Sequence, residues 1–223
     1  MSSLISIGLS GLGASQAALS VTSNNIANAA TSGYSRQQAV QVAGPSHNIG
    51  AGFLGTGTTL SDVRRIYSAY LDNQLQTATS LQADSVAFQD QITSVDKLLA
   101  DRDTGISSVL TAFFSALQTA SATPGDVASR QLLLTQAQTL SNRFNAVGTQ
   151  LTQQNETINS QLGTLAGQVN KLTSNIAEYN KQIVAATATG NTPNSLLDAR
   201  SEAVRQLNEL VGVTVQELSL IHI

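Results

Sequence analysis

The sequence predicts a mainly α fold: an elongated antiparallel bundle of long heptad-patterned helices, with a small β excursion near 36–65. Three observations predict it. Apolar residues recur in alternating steps of four and three from Tyr67 to Ile183, the repeat of helices that pack side by side. Pro45 and five glycines fall within GPSHNIGAGFLGTGTTL, which argues for turns and extended chain there. Aromatic content is 4% with no Trp, so the core must be built from Leu, Val, Ile and Ala, which suits interlocked helices better than a compact pocket.

The first segment, 1–33, reads as one helix with a narrow apolar stripe. Ile5, Leu12, Leu19 and Ile26 fall seven apart, and the small residues Ser15, Thr22 and Ala29 fill the second seam position. Small seam residues let a partner helix approach closely. No charged residue occurs before Arg36, whereas a solvated helix face normally carries charge. Ordering about 30 residues costs ~1–2 kcal/mol each in backbone entropy. The few large side chains return ~1.5–3 kcal/mol each on burial, and isolated helices are marginal in water. The segment is therefore expected to be poorly ordered in a monomer and helical in an assembly.

Segment 34–66 changes character. The alternation Ala39–Val40–Gln41–Val42 predicts a strand, and the glycine-rich stretch after it predicts a hairpin-like excursion. Helical periodicity returns at Tyr67 and continues through Leu71, Gln74, Ala78, Leu81, Ser85, Phe88, Ile92, Val95 and Leu99. DRDTG at 101–105 breaks it, with Asp101 and Asp103 as loop and cap residues. A shorter helix carries Ile106, Leu110, Phe113, Leu117 and Ala120, and Pro124–Gly125 stops it. Asp126 then caps the longest helix, Val127 to about Ala188, roughly 90 Å long at 1.5 Å per residue. Its stripe runs Leu140, Phe144, Val147, Leu151, Gln154, Ile158, Leu162, Leu165, Val169, Leu172, Ile176, Tyr179 and Ile183. Gly190, Asn191 and Pro193 end it. A last helix spans about Ser195 to Val211, capped by Gly212. From 67 to 212 the stripes are expected to form one helical bundle, and VTVQ opens a β region over 213–223.

Composition excludes several function classes. Charged residues make up 11% of the chain and the net charge is −3, so neither nucleic acid nor an anionic membrane is implied as a partner. There is no Cys, hence no disulfide, thiolate nucleophile or Cys-based metal site. The opening twenty residues lack Lys and Arg, and Gly and Ser interrupt their apolar run, which argues against a cleaved secretory signal. No apolar run approaches the ~20 residues that span a bilayer.

The chemical motifs read as scaffold. Gly50-Ala51-Gly52-Phe53-Leu54-Gly55 fits GxGxxG, but PSHNI precedes it where a dinucleotide fold needs a strand, and no helix opens after it. His47 and His222 stand apart with no HExxH spacing. There is no G-x-S-x-G elbow, and Asn155-Glu156-Thr157, a sequon, falls inside a helix. No catalytic residues, cofactor or metal ligands can be named, so an enzyme is the weakest reading.

One signature is specific. The stretch Ala18 to Gln38, ALSVTSNNIANAATSGYSRQQ, resembles the N-terminal signature of the flagellar rod, hook and hook-associated proteins. In that family a heptad helix containing SNNIAN leads into a turn with GY or GF. Gly33-Tyr34-Ser35-Arg36-Gln37, then Gly55-Thr56-Gly57 leading to Val63-Arg64-Arg65-Ile66-Tyr67, and Leu196-Leu197-Asp198-Ala199-Arg200 look like the hook-associated protein 1 branch rather than hook or rod subunits. The resemblance covers about 1–217, and Leu218 to Ile223 depart from it.

The resemblance implies a non-enzymatic structural subunit at the hook–filament junction, outside the cell on the bacterial flagellum. It implies export through the flagellar type III apparatus without signal cleavage. The implied partners are further copies of the same subunit in a ring, the hook protein and the second junction protein, with no nucleic acid and no membrane insertion. The expected assembly interface comprises Ile5, Leu12, Leu19 and Ile26, the amides of Asn24, Asn25 and Asn28, and Gly33, Tyr34 and Arg36. Asn amides can bond backbone or neighbouring subunits without charge, and Gly33 supplies the turn. The family continues into outer β domains and a returning C-terminal helix, beyond the stretch that this sequence covers. The alternatives are another axial subunit, a hook or rod protein, or a secreted coiled-coil adhesin.

Overall fold

A computed structural model describes residues 3–48, 50–100 and 105–216. The chain is mainly helical with a small antiparallel β excursion. Its elements are α1 (Ser3–Ala27), β1 (Gln37–Ala43), β2 (Ser46–Asn48), β3 (Phe53–Gly55), β4 (Thr58–Arg65), α2 (Ala69–Ala100), α3 (Ile106–Ala122), α4 (Val127–Ala188) and α5 (Asn194–Leu210). They form two compact units, one of Met1–Ser80 with Val169–Ile223 and the other of Leu81–Gln168.

In the first unit β1 pairs antiparallel with β4, with an irregularity between Val40 and Gln41, and β2–β3 continues the hairpin. The GxGxxG stretch begins here as a turn, with Gly50 and Gly52 at φ +84 and +149, and ends as strand β3. α1 rests on the β1–β4 ribbon, and Ile7, Ser10, Ala14, Ala17, Val21 and Asn25 are among its buried and half-buried positions. α4 and α5 run antiparallel in this unit, since Arg200 donates to Asn180 and Thr173 shares a groove with Leu207. The α5 face of Asn194, Asp198, Ala203, Val204, Leu207 and Asn208 is buried.

The second unit combines α3 with the adjoining stretches of α2 and α4, and buries Ala116, Ser129 and Val147. Asp126 starts α4 by accepting the amides of Ala128 and Ser129 at 3.2 and 3.1 Å. These bonds, with the Ser129 hydroxyl foremost, hold its carboxyl below the ordinary carboxylate value.

Back in the first unit, α4 ends where Gly190 turns left-handed, φ +80, and Asn191 and Gly190 donate to Ala186 and Thr187. That is a Schellman cap, which glycine enters without steric cost.

Five expectations need correction. The first helix ends at Ala27, not 33, because the amides of Ala29, Thr31 and Tyr34 donate three residues back, to Ile26, Asn28 and Thr31, in successive turns. Gly212 is not a left-handed cap: Val211 is already extended, and Asn208 Oδ1 takes the Val213 amide at 3.1 Å. Residues 213–216 of VTVQ form no strand, since that side-chain bond diverts the backbone. The α4 stripe is buried or half-buried at most of its positions, but that of α2 is not: Leu71, Leu81 and Phe88 are 61–68% exposed. Asp72 and a buried Gln76, bonded to each other at 2.7 Å, take the inner face of α2. Finally, Leu4–Ala27 is long and apolar enough to cross a membrane by length and composition, because an averaged window tolerates the Gly and Ser that break an uninterrupted run. Asp101, Asp103 and 217–223 lie outside the described residues.

Candidate assembly site

The signature residues build a clasp at the end of α1. Asn25 uses its whole amide on the chain ahead of it. Its Oδ1 accepts from the Tyr34 hydroxyl and the Gln37 amide, both at 2.8 Å, and its Nδ2 donates to the Gln37 carbonyl at 2.8 Å. The side chain thus imitates a strand partner for β1. Asn24 Nδ2 donates to Tyr34 Oη at 3.2 Å, and Asn28 Nδ2 donates to Asn24 at 3.0 Å. All three amides therefore bond within the chain. Gly33 sits at φ +76, where a Cβ would lie 2.7 Å from Glu202 Cβ, so glycine serves both the turn and the approach to α5.

A second cluster receives this turn on α5. Asp198 Oδ1 accepts from Arg65 Nη1 at 3.1 Å, and Oδ2 accepts from the Ser35 amide at 3.1 Å. Both side chains of the ion pair are 9% exposed. Arg65 also reaches Ser201 Oγ at 3.3 Å and stacks 4.1 Å from the Tyr67 ring centroid. One turn along, Glu202 accepts from Ser32 and from Arg205. The Arg205 hydrogen bond holds the Glu202 carboxyl below its ordinary value, and in return Glu202 raises the Arg205 guanidinium. Asn194 Nδ2 donates to the Val63 carbonyl, and Thr192 donates to Asp62. Three stretches distant in sequence thus converge: SNNIAN–GYSR, VRRIY and LLDAR.

The apolar stripe lies on the other side. Ile5, Leu12, Leu19 and Ile26 are 56–78% exposed, alongside exposed Leu4 and Leu9. They stand two residues, or about 200°, from the Ile7–Ala14–Val21 line that meets the ribbon. The ribbon contact is made of small and polar groups. Ser10 Oγ accepts the Thr58 amide at 3.2 Å, and Gln41 Nε2 donates to the Ala14 carbonyl at 3.1 Å. Gly57 permits this approach, since a Cβ there would meet Ser10 Oγ at 2.0 Å. Arg36 is exposed at the foot of β1.

Arg65, Ser35, Gln37, Asp198 and Glu202 escaped the sequence reading as site residues. Arg65 and Asp198 lay within recognised stretches, but no spacing rule links residues 133 apart. Among the described residues no group of three His, Cys, Asp or Glu side chains could hold a metal. His47 lies exposed on β2.

Comparison with known proteins places these features in context. Residues 92–220 match the model of the flagellar hook-associated protein FlgK helical domain, and residues 5–34 match that of the flagella basal body rod protein. The chain is 39% identical to flagellar hook-associated protein 1 of Salmonella typhimurium, over 96% of this chain and 39% of that protein. It is 36% identical to the Escherichia coli K12 protein of the same name, over 96% of this chain and 40% of that protein. For the Bacillus subtilis protein of that name the figures are 33%, 92% and 42%. The chain therefore spans about two-fifths of the length of these relatives.

Proposed function

The chain belongs to the family of the flagellar hook-associated protein FlgK helical domain, and from that premise we propose that it is part of the subunit joining the flagellar hook to its filament. The match over 92–220 carries this reading. The mechanism is packing, with no catalysis, cofactor or metal. The exposed stripe of Ile5, Leu12, Leu19 and Ile26 is buried by neighbouring subunits of the assembled flagellum. Four such side chains supply roughly 6–12 kcal/mol on burial, enough to hold a subunit in place once ordering costs are met. Asn24, Asn25, Asn28, Gly33 and Tyr34 fix the base from which α1 projects, and exposed Arg36 borders it. The partners are copies of the same subunit in a ring, the hook protein and the second junction protein. The subunit leaves the cell through the flagellar type III export apparatus without signal cleavage, and α1 packs in the axial structure rather than in a membrane.

A hook or rod subunit is the second reading, favoured by the rod-protein match at 5–34. Deleting the full-length gene and imaging the cells by electron microscopy separates the two. The junction role gives hooks without filaments and flagellin lost to the medium. Missing hooks or rods would move the assignment to the second reading, and intact filaments would contradict both.

A further inference from the structure

We infer that Asp198 and Arg65 are positioning residues that fix the direction in which α1 leaves the α5 core, and with it the aim of the exposed stripe. α1 has two attachments in its unit. Along its length it rests on the ribbon through Ser10 and Ala14. At its end Asn25 grips Tyr34 and Gln37. Neither attachment includes α5. Asp198 makes the charged part of that link, beside the amide of Asn194 on the Val63 carbonyl: one oxygen holds the amide of Ser35, which leads into β1, and the other holds Arg65, which ends β4. A single carboxylate, itself more than nine-tenths buried, ties both strands of the ribbon to one helix, at the end where Gln37 pairs with Arg65. Hydrophobic contact is non-directional, whereas a carboxylate held by two donors is defined in angle as well as distance. Glu202 and Gly33 support the same seat one turn away.

The inference depends on the junction reading only for its consequence, that a stripe meant for neighbouring subunits must be aimed. The test reads the aim itself. The chain has no cysteine, so Ser23→Cys on α1 and Lys181→Cys on α4 each accept one spin label within the first unit. Their distance distribution should be narrow in the parent. It should broaden in the double variant Arg65→Met/Asp198→Leu, which avoids stranding a buried charge, while the helical circular dichroism is retained. A distribution already broad in the parent, or still narrow in the variant, would overturn the proposal. If the double variant loses helix, Ser35→Pro, which removes the clasped amide donor and leaves Arg65 and Asp198 paired, decides: broadening with helix retained supports positioning, and no broadening overturns it. An unchanged distribution leaves the junction reading standing, and a deletion phenotype other than hooks without filaments leaves the positioning result standing.

Discussion

Asp198 shows how much one carboxylate can organise. Replacing it by Ala leaves Arg65 charged and buried, and should cost about 3–5 kcal/mol in urea unfolding. The paired change to Met and Leu should recover most of that loss. Glu202 behaves differently because it lies nearer solvent. Its folded carboxyl titrates below the unfolded value of 4.5, mainly through the Arg205 hydrogen bond. A depressed carboxylate contributes stability that is complete above its unfolded value and is lost as pH falls through its folded one. Thermal stability should therefore drop as pH falls below 4.5, and Glu202→Gln should flatten part of that drop. At this scale the sequence was legible in kind but not in partner. SNNIAN identified Asn24, Asn25 and Asn28 as residues with a task, yet their bonds close within the chain. Spacing could not disclose Arg65 with Asp198, because only the folded ribbon brings them together.

Helix boundaries were the most legible elements, and facing was the least. α4 runs Val127–Ala188 as the pattern predicted, because Asp126 and Gly190 are strong local signals that need no tertiary context. The apolar stripe of α2 was equally clear, but periodicity names residues that share a face and not the neighbour that covers it. VTVQ failed because the Asn208 side chain captures the Val213 amide. α1 combines both lessons, with a legible stripe and an unforeseen seat on the ribbon. Gly57→Ala would place a Cβ 2.0 Å from Ser10 Oγ at φ +106, and should cost about 1–3 kcal/mol while loosening α1. Gly11→Ala meets nothing within 4 Å and should stabilise the helix by about 0.5–1 kcal/mol. In the free chain the amides of Leu4–Gly13 should exchange with solvent faster than those of Asn24–Ala27, which the clasp holds. Strong protection from Leu4 onward would contradict ordering on assembly.

For the whole molecule, the mainly α class and the family were readable from motif and period together, while the division into two units was not. Unit one joins α1 and the β ribbon to α5, a long-range pairing made by Asp198, Asn194 and Glu202 rather than by any local pattern. The same unit presents α1 with its small and polar face on the ribbon and its large apolar face outward. Among the described residues nothing buries Ile5, Leu12, Leu19 and Ile26, and this is the face that the proposed packing covers. The most direct test is Leu19→Asp in the full-length gene, imaged in cells that lack the native copy. The account predicts hooks without filaments while the purified chain keeps its helical circular dichroism and melting temperature. Filaments of normal length and number on those cells would contradict it.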